Sequence, residues 1–226
     1  MFLGHYGVAF ALKRAEPRVS LGTLFFATVL VDILWGAFLL TGWEEARIAP
    51  GLTPVTPIEF IRYPISHSLL AAFLWAGLAA AIEYTWTTRD TSRHHWIKAA
   101  VVGIAVLSHW FLDLVVHLPD LPLAGDQSSK LGFGLWRSLP ATLAVEFLVL
   151  GIGLGLYLTW RRAKRPVPLN RILVVAGLLV VLYLASLLGP PPTSMNVIGI
   201  VDIAGTLFLA GLAAWADRGA LARAKP

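Results

Sequence analysis

The stretch IKAAVVGIAVLSHWFLDLVVHLPD, at positions 97–120, limits what this chain can become. It is long and apolar enough to cross a bilayer, yet its second half carries His109, Asp113 and His117. Spacings of i, i+4 and i+8 put these three on one polar stripe of an otherwise apolar helix. A charged group at the centre of a membrane helix costs about 2.5–3.5 kcal/mol on insertion scales. The stripe therefore demands a partner: a bound metal ion, a proton path or a buried polar contact.

Composition places the stripe in a membrane protein. Hydrophobic residues make up 57% of the chain and charged residues 14%, with a mean hydropathy of +0.72, far from the balance of a soluble domain. The length of 226 residues accommodates about six spanning helices, each of roughly 20 residues. The sequence thus predicts an all-α integral membrane protein, one helical bundle over residues 1–226. Cysteine is absent, so any metal is held by imidazole and carboxylate. That donor set suits zinc, manganese, iron or nickel, with zinc the first expectation.

Six spans follow from the apolar runs, at residues 20–40, 65–84, 97–120, 139–160, 171–188 and 195–216. The segment 1–19 turns basic after an apolar start, the reverse of a secretory signal. It reads as retained, with residues 1–14 interfacial or re-entrant. Gly151, Gly153 and Gly155 mark close helix packing. Summed over alternate loops, Lys and Arg number 14 on one side and 4 on the other. The positive-inside rule then puts both termini in the cytoplasm of a bacterial-type inner membrane. The net charge of +5 is accounted for by topology, which argues against a nucleic-acid partner and leaves membrane lipid as the surrounding one. His94 and His95 fall with Arg89 and Arg93 in an inner loop and read as a solvated, headgroup-facing cluster.

At 1.5 Å per residue, this orientation brings Asp32, His67, His109, Asp113, His117, Glu146 and Asp202 into the outer half of the bilayer, from five helices. His109 and Asp113, one turn apart, can reach a single ion, and His67 lies at matching depth. Each has a plainer alternative. His109 and Asp113 can simply bond each other, His67 can serve as a capping residue beside Ser66 and Ser68, and His117 can face water before Pro119. Glu146 has no local charge partner and is a candidate acid/base, with a helix–helix hydrogen bond as the alternative. Asp32 is a candidate ligand or orienting partner. Asp202 reads as structural.

Gly4-His5, Asp32, Ser66-His67-Ser68-Leu69-Leu70, and Ser108-His109-Trp110-Phe111-Leu112-Asp113 followed by Leu121-Pro122-Leu123 together resemble the YdjM-like membrane-bound metal-dependent hydrolases. That family shows an early Gly-His, a Pro-Asp-Ile-Asp, a His-Arg-Gly-x-Thr-His-Ser and a Ser-His-x-x-x-Asp with a downstream proline turn. The resemblance covers about the first 125 residues. It implies that His5, Asp32, His67, His109 and Asp113 are the metal-site residues. Two departures stand out. Val31-Asp32-Ile33-Leu34 keeps only the first aspartate of its motif, and Arg62 stands where the first histidine of His-Arg-Gly would be. His117, Asp120 and Glu146 lie outside the pattern. One or two ions are expected rather than a larger cluster, and only a re-entrant N-terminal segment would bring His5 to them.

The resulting expectation is a membrane-embedded, metal-dependent hydrolase of a lipid-like ester or phosphoester at the outer leaflet. His67, His109 and Asp113 bind the ion, and Asp32 or His117 completes the set. Glu146 and His117 are the catalytic candidates. The alternatives are a proton- or ion-coupled transporter using the same buried groups, and a non-catalytic scaffold in which they fix helix register.

Overall fold

The structure is a computed structural model that describes residues 1–87, 94–164 and 169–221. It is mostly helical. Helix α1 (Leu3–Ala15) leads to α2 (Leu21–Thr28) and α3 (Leu30–Thr41), and a hairpin of β1 (Glu45–Ile48) and β2 (Ile58–Arg62) follows. Next come the short α4 (Pro64–His67), α5 (Leu69–Thr87) and α6 (His94–Val116). A minimal hairpin of β3 (Leu121–Pro122) and β4 (Lys130–Leu131) and a 3-10 turn at Leu135–Arg137 precede three long helices, α7 (Leu139–Lys164), α8 (Leu169–Leu188) and α9 (Met195–Leu221). Helices α5 to α9 are each long and apolar enough to cross a membrane, and the pair α2–α3 provides a sixth crossing if taken together. The expected spans are therefore present, the first of them as a bent pair. Arg89, Arg93 and the residue at the end of the basic run, Arg165, lie outside the described residues, as do Arg223 and Lys225.

Three local departures shape the site. The first span bends by 52° between α2 and α3, where Val29 leaves helical geometry at φ −125°, ψ 19°. Neither proline nor glycine lies at the bend. Instead the Thr28 hydroxyl turns back to donate to the Phe25 carbonyl at 3.1 Å, a local bond that competes with the helical ladder. Asp32 N–H then bonds Val29 O rather than Thr28 O, so the Thr28 carbonyl is released from the ladder. The second span breaks at Ser68, whose extended backbone (φ −74°, ψ 153°) separates α4 from α5. Ser68 Oγ accepts from Ala71 N–H at 3.0 Å and so starts the next helix. The third departure concerns His94 and His95, which open α6 rather than lying in a loop, with the His95 ring against Tyr84 at 5.0 Å.

The N-terminal segment is a buried helix. At 13 residues, α1 is roughly 20 Å long, too short for the hydrocarbon core. It lies in the bundle against α7, where a Cβ added at Gly153 would fall on the Gly7 carbonyl. Only a residue without a side chain permits that approach. At its first turn, Phe2 N–H and Gly4 N–H donate to the two Glu146 oxygens, each at 2.8 Å. At its other end Lys13, fully buried, donates to Asp217 Oδ2 at 2.6 Å and to the carbonyls of Pro17 and Val19. Asp217 also accepts the Leu21 N–H. This knot ties the α1–α2 turn to the C-terminal end of α9.

Candidate metal centre

The polar stripe on α6 finds its partners. Asp113 is buried, and histidines from three elements reach it. His109 Nε2 lies 2.9 Å from Asp113 Oδ2, His117 Nε2 3.7 Å and His67 Nε2 3.8 Å. On the other oxygen, Oδ1, stand His5 Nε2 at 3.2 Å and the Met1 amine at 2.5 Å. Asp32, from the bent span, places Oδ1 3.3 Å from His67 Nε2 and 3.4 Å from His109 Nε2. Its side chain is 30% exposed, against 3% or less for His5, His67, His109, Asp113 and His117. Asp32 is thus the open member of the group.

Each imidazole on the Oδ2 side is held from behind. The released Thr28 carbonyl lies 2.8 Å from His109 Nδ1. A carbonyl can only accept, so Nδ1 carries the hydrogen and Nε2 is left to face the carboxylates. The break at Val29 therefore does two things: it frees the acceptor that orients His109, and it begins the helix that carries Asp32. His117 Nδ1 lies 2.9 Å from Asp120 Oδ1, which also accepts from the Tyr63 hydroxyl at 2.9 Å. Burial, reinforced by the Asp120 carboxylate, pushes the Tyr63 phenol well above its ordinary range, so it stays a donor. The Phe60 and Trp136 rings cover His117 with centroids at 4.8 and 4.2 Å.

Among the described residues, two sets of donors have the spacing to hold a metal ion: His5, His109 and Asp113, and Asp32, His67 and His109. Zinc bonds of about 2.0–2.1 Å in a tetrahedron put neighbouring ligand atoms about 3.3 Å apart. The observed N–O separations run from 2.9 to 3.8 Å. Moreover, His109 Nε2 and both His5 nitrogens are buried without an aligned hydrogen bond among the described residues. Buried polar atoms normally find partners, and a cation between the donors would satisfy His109 Nε2 and His5 Nε2, leaving His5 Nδ1 without an aligned bond among the described residues. The residues present fit such an ion. The His5 and His109 rings stack face to face, centroids 3.9 Å apart and 3° from parallel.

Of the sequence candidates, Asp32, His67, His109, Asp113, His117 and His5 come together here. Glu146 stands one step removed. Its two oxygens hold the start of α1, and its contacts make it the anchor of the helix that carries His5 rather than a free proton shuttle. Asp202 sits on α9, partly buried and within electrostatic reach of Asp32. Tyr63, Asp120 as a partner of His117, and the Thr28 carbonyl lie beyond what sequence reasoning singles out. Asp120 alone carries a signal, three residues beyond His117. No family model, curated protein or solved structure matches the chain.

Proposed function

We propose that this chain is a membrane-embedded, metal-dependent hydrolase acting on a lipid-like ester or phosphoester. One observation carries the reading: three histidines turn Nε2 toward one buried carboxylate, Asp113, and each has its Nδ1 engaged from behind. That is how metal-ligating histidines are held, with an outer partner fixing tautomer and ring direction. His67, His109 and Asp113 would hold a divalent ion, zinc first, with His5, Asp32 and His117 in reach of it. The ion would supply Lewis acidity and a water acidified toward neutral pH. Asp32, the most accessible carboxylate of the group, would take a proton from that water. Glu146 acts at a distance by seating α1.

A cavity of about 330 Å³ supports a lipid-like substrate. It runs between the bent span and α5 over a floor of Val102 and Val106, and its walls include Ala27, Leu30 and Leu78. Val106 in its lining precedes His109 by three residues on α6, and none of the candidate metal residues lines it. The positive-inside count supports an inner-membrane location with this centre toward the outer leaflet. In that orientation the turn at 16–20, tied to the end of α9, is the cytoplasmic element, and Met1, on Asp113 inside the bundle, departs from the expected cytoplasmic N-terminus.

Elemental analysis of protein purified without chelator tests the reading. At least about half an equivalent of transition metal is expected, and clearly less in His109→Ala. Metal-free parent protein, or unchanged metal in the variant, overturns it. The bend at Val29 beside Asp32 favours a second reading, because broken helices carry the ion sites of transporters. Substrate-dependent proton flux in liposomes would support that reading, and tightly held metal without flux would exclude it.

A further inference from the structure

Glu44 is a carboxylate from the loop before β1, yet only 2% of it is exposed, while its neighbour Trp43 is 60% exposed. Its burial is directed. Oε1 accepts the amides of Ile65 at 2.7 Å and Ser66 at 2.8 Å, which caps α4. Capping needs no more than that oxygen. The second oxygen, Oε2, accepts the Ser66 hydroxyl at 2.5 Å, and Ser66 Oγ lies 2.7 Å from His67 Nδ1.

A serine hydroxyl has one proton. With that proton given to Glu44, Ser66 Oγ can only accept from His67, so Nδ1 carries the hydrogen. His67 Nε2 then presents its lone pair to Asp32 and Asp113. Without the carboxylate, Ser66 is free to donate to Nδ1. The ring hydrogen would then sit on Nε2, pointing into the site and blocking ligation. We infer that Glu44 is a positioning residue of the metal centre, fixing the tautomer of His67 through Ser66. The inference rests on the metal reading above. It also explains what the β1–β2 hairpin contributes, since Glu44 before it holds His67, and Tyr63 after it holds Asp120 and, through it, His117.

Cobalt(II) is a suitable probe, because its visible spectrum reports both binding and coordination geometry. The full-length chain in detergent is titrated with Co²⁺ for the parent, Ser66→Ala, Ser66→Thr and Glu44→Gln. Glu44→Gln keeps an acceptor for the two amides, so the cap survives while the charge is lost. Ser66→Ala and Glu44→Gln are expected to weaken Co²⁺ binding about 10- to 100-fold and to shift the spectrum. Ser66→Thr restores the parental behaviour. The metal-free melting temperature should fall in Ser66→Ala, where the buried Glu44 Oε2 loses its donor, but stay closer to the parental value in Glu44→Gln, whose amide can donate to Ser66 Oγ, so Glu44→Gln separates positioning from folding. Parental affinity and spectrum in both Ser66→Ala and Glu44→Gln overturn the inference and leave the metal reading standing. A parent that binds no Co²⁺ overturns both.

Discussion

Two buried charged knots sit at opposite ends of α1, and they are built differently. At one end Lys13 and Asp217 form a pair at 2.6 Å, with two carbonyls and an amide taking up further valences. At the other, two aspartates and four histidines crowd together, and three of the ring nitrogens lack an aligned partner among the described residues. The first knot is knit into the backbone of the α1–α2 turn and joins that turn to the C-terminal end of α9. The second faces ring nitrogens and carboxylates inward, with the Met1 amine on one Asp113 oxygen, and could hold a metal ion. Burial of charge alone therefore does not mark a site. What distinguishes the two is that the first sets one cation against one anion among backbone groups, whereas the second turns several imidazole nitrogens toward the same two carboxylates.

The largest effect that tests this contrast lies in the structural knot. Removing one partner leaves an uncompensated buried charge, so Lys13→Met should destabilise by about 3–5 kcal/mol, read from thermal unfolding in detergent. Combining it with Asp217→Leu should recover much of that loss, and metal content should follow folding in both. The metal centre should behave in the opposite way. His109→Ala should lower Zn²⁺ affinity at least about 100-fold, measured by competition with a chelator, with little change in the melting temperature of the metal-free protein. If its stability instead falls as far as that of Lys13→Met, the two knots are of one kind.

Gly153→Ala probes the packing that carries His5 inward. The added methyl would fall on the Gly7 carbonyl, so α1 must shift, at about 1–3 kcal/mol. Weaker Co²⁺ binding should accompany the loss of stability, because His5 and the Glu146 contacts move with α1. The smallest effect is expected from Tyr63→Phe. It removes one donor from Asp120, worth about 1 kcal/mol, and should weaken metal binding only a few-fold. A larger loss would make the Tyr63–Asp120–His117 arm the main support of the centre.

The α6 stripe is readable in the sequence because its 3.6-residue period stands out against an apolar background. The crossings are readable from the length of the apolar runs, and His67 from its depth. The bend at Val29 is not, since TLFFATVLVDILW contains no proline or glycine and its Thr28 side chain acts only once the chain is folded. Lys13 is a basic residue in a basic stretch, and nothing local announces that Asp217, 204 positions away, will bury it. Glu44 is silent too. It lies in a loop of Pro, Gly and mixed charges whose strands are only four and five residues long. Periodicity reports what a helix does with its own faces. It cannot report a carbonyl freed by a bend or a carboxylate delivered by a hairpin.

On the proposed function, Asp113 and the histidines around it would enclose a metal ion. Anomalous diffraction at the zinc edge, from crystals of protein purified without chelator and supplied with Zn²⁺, tests it most directly. A peak is expected about 2.0–2.2 Å from both His109 Nε2 and Asp113 Oδ2. A site with no anomalous peak, and with His109 donating straight to Asp113 as an imidazolium, would contradict it.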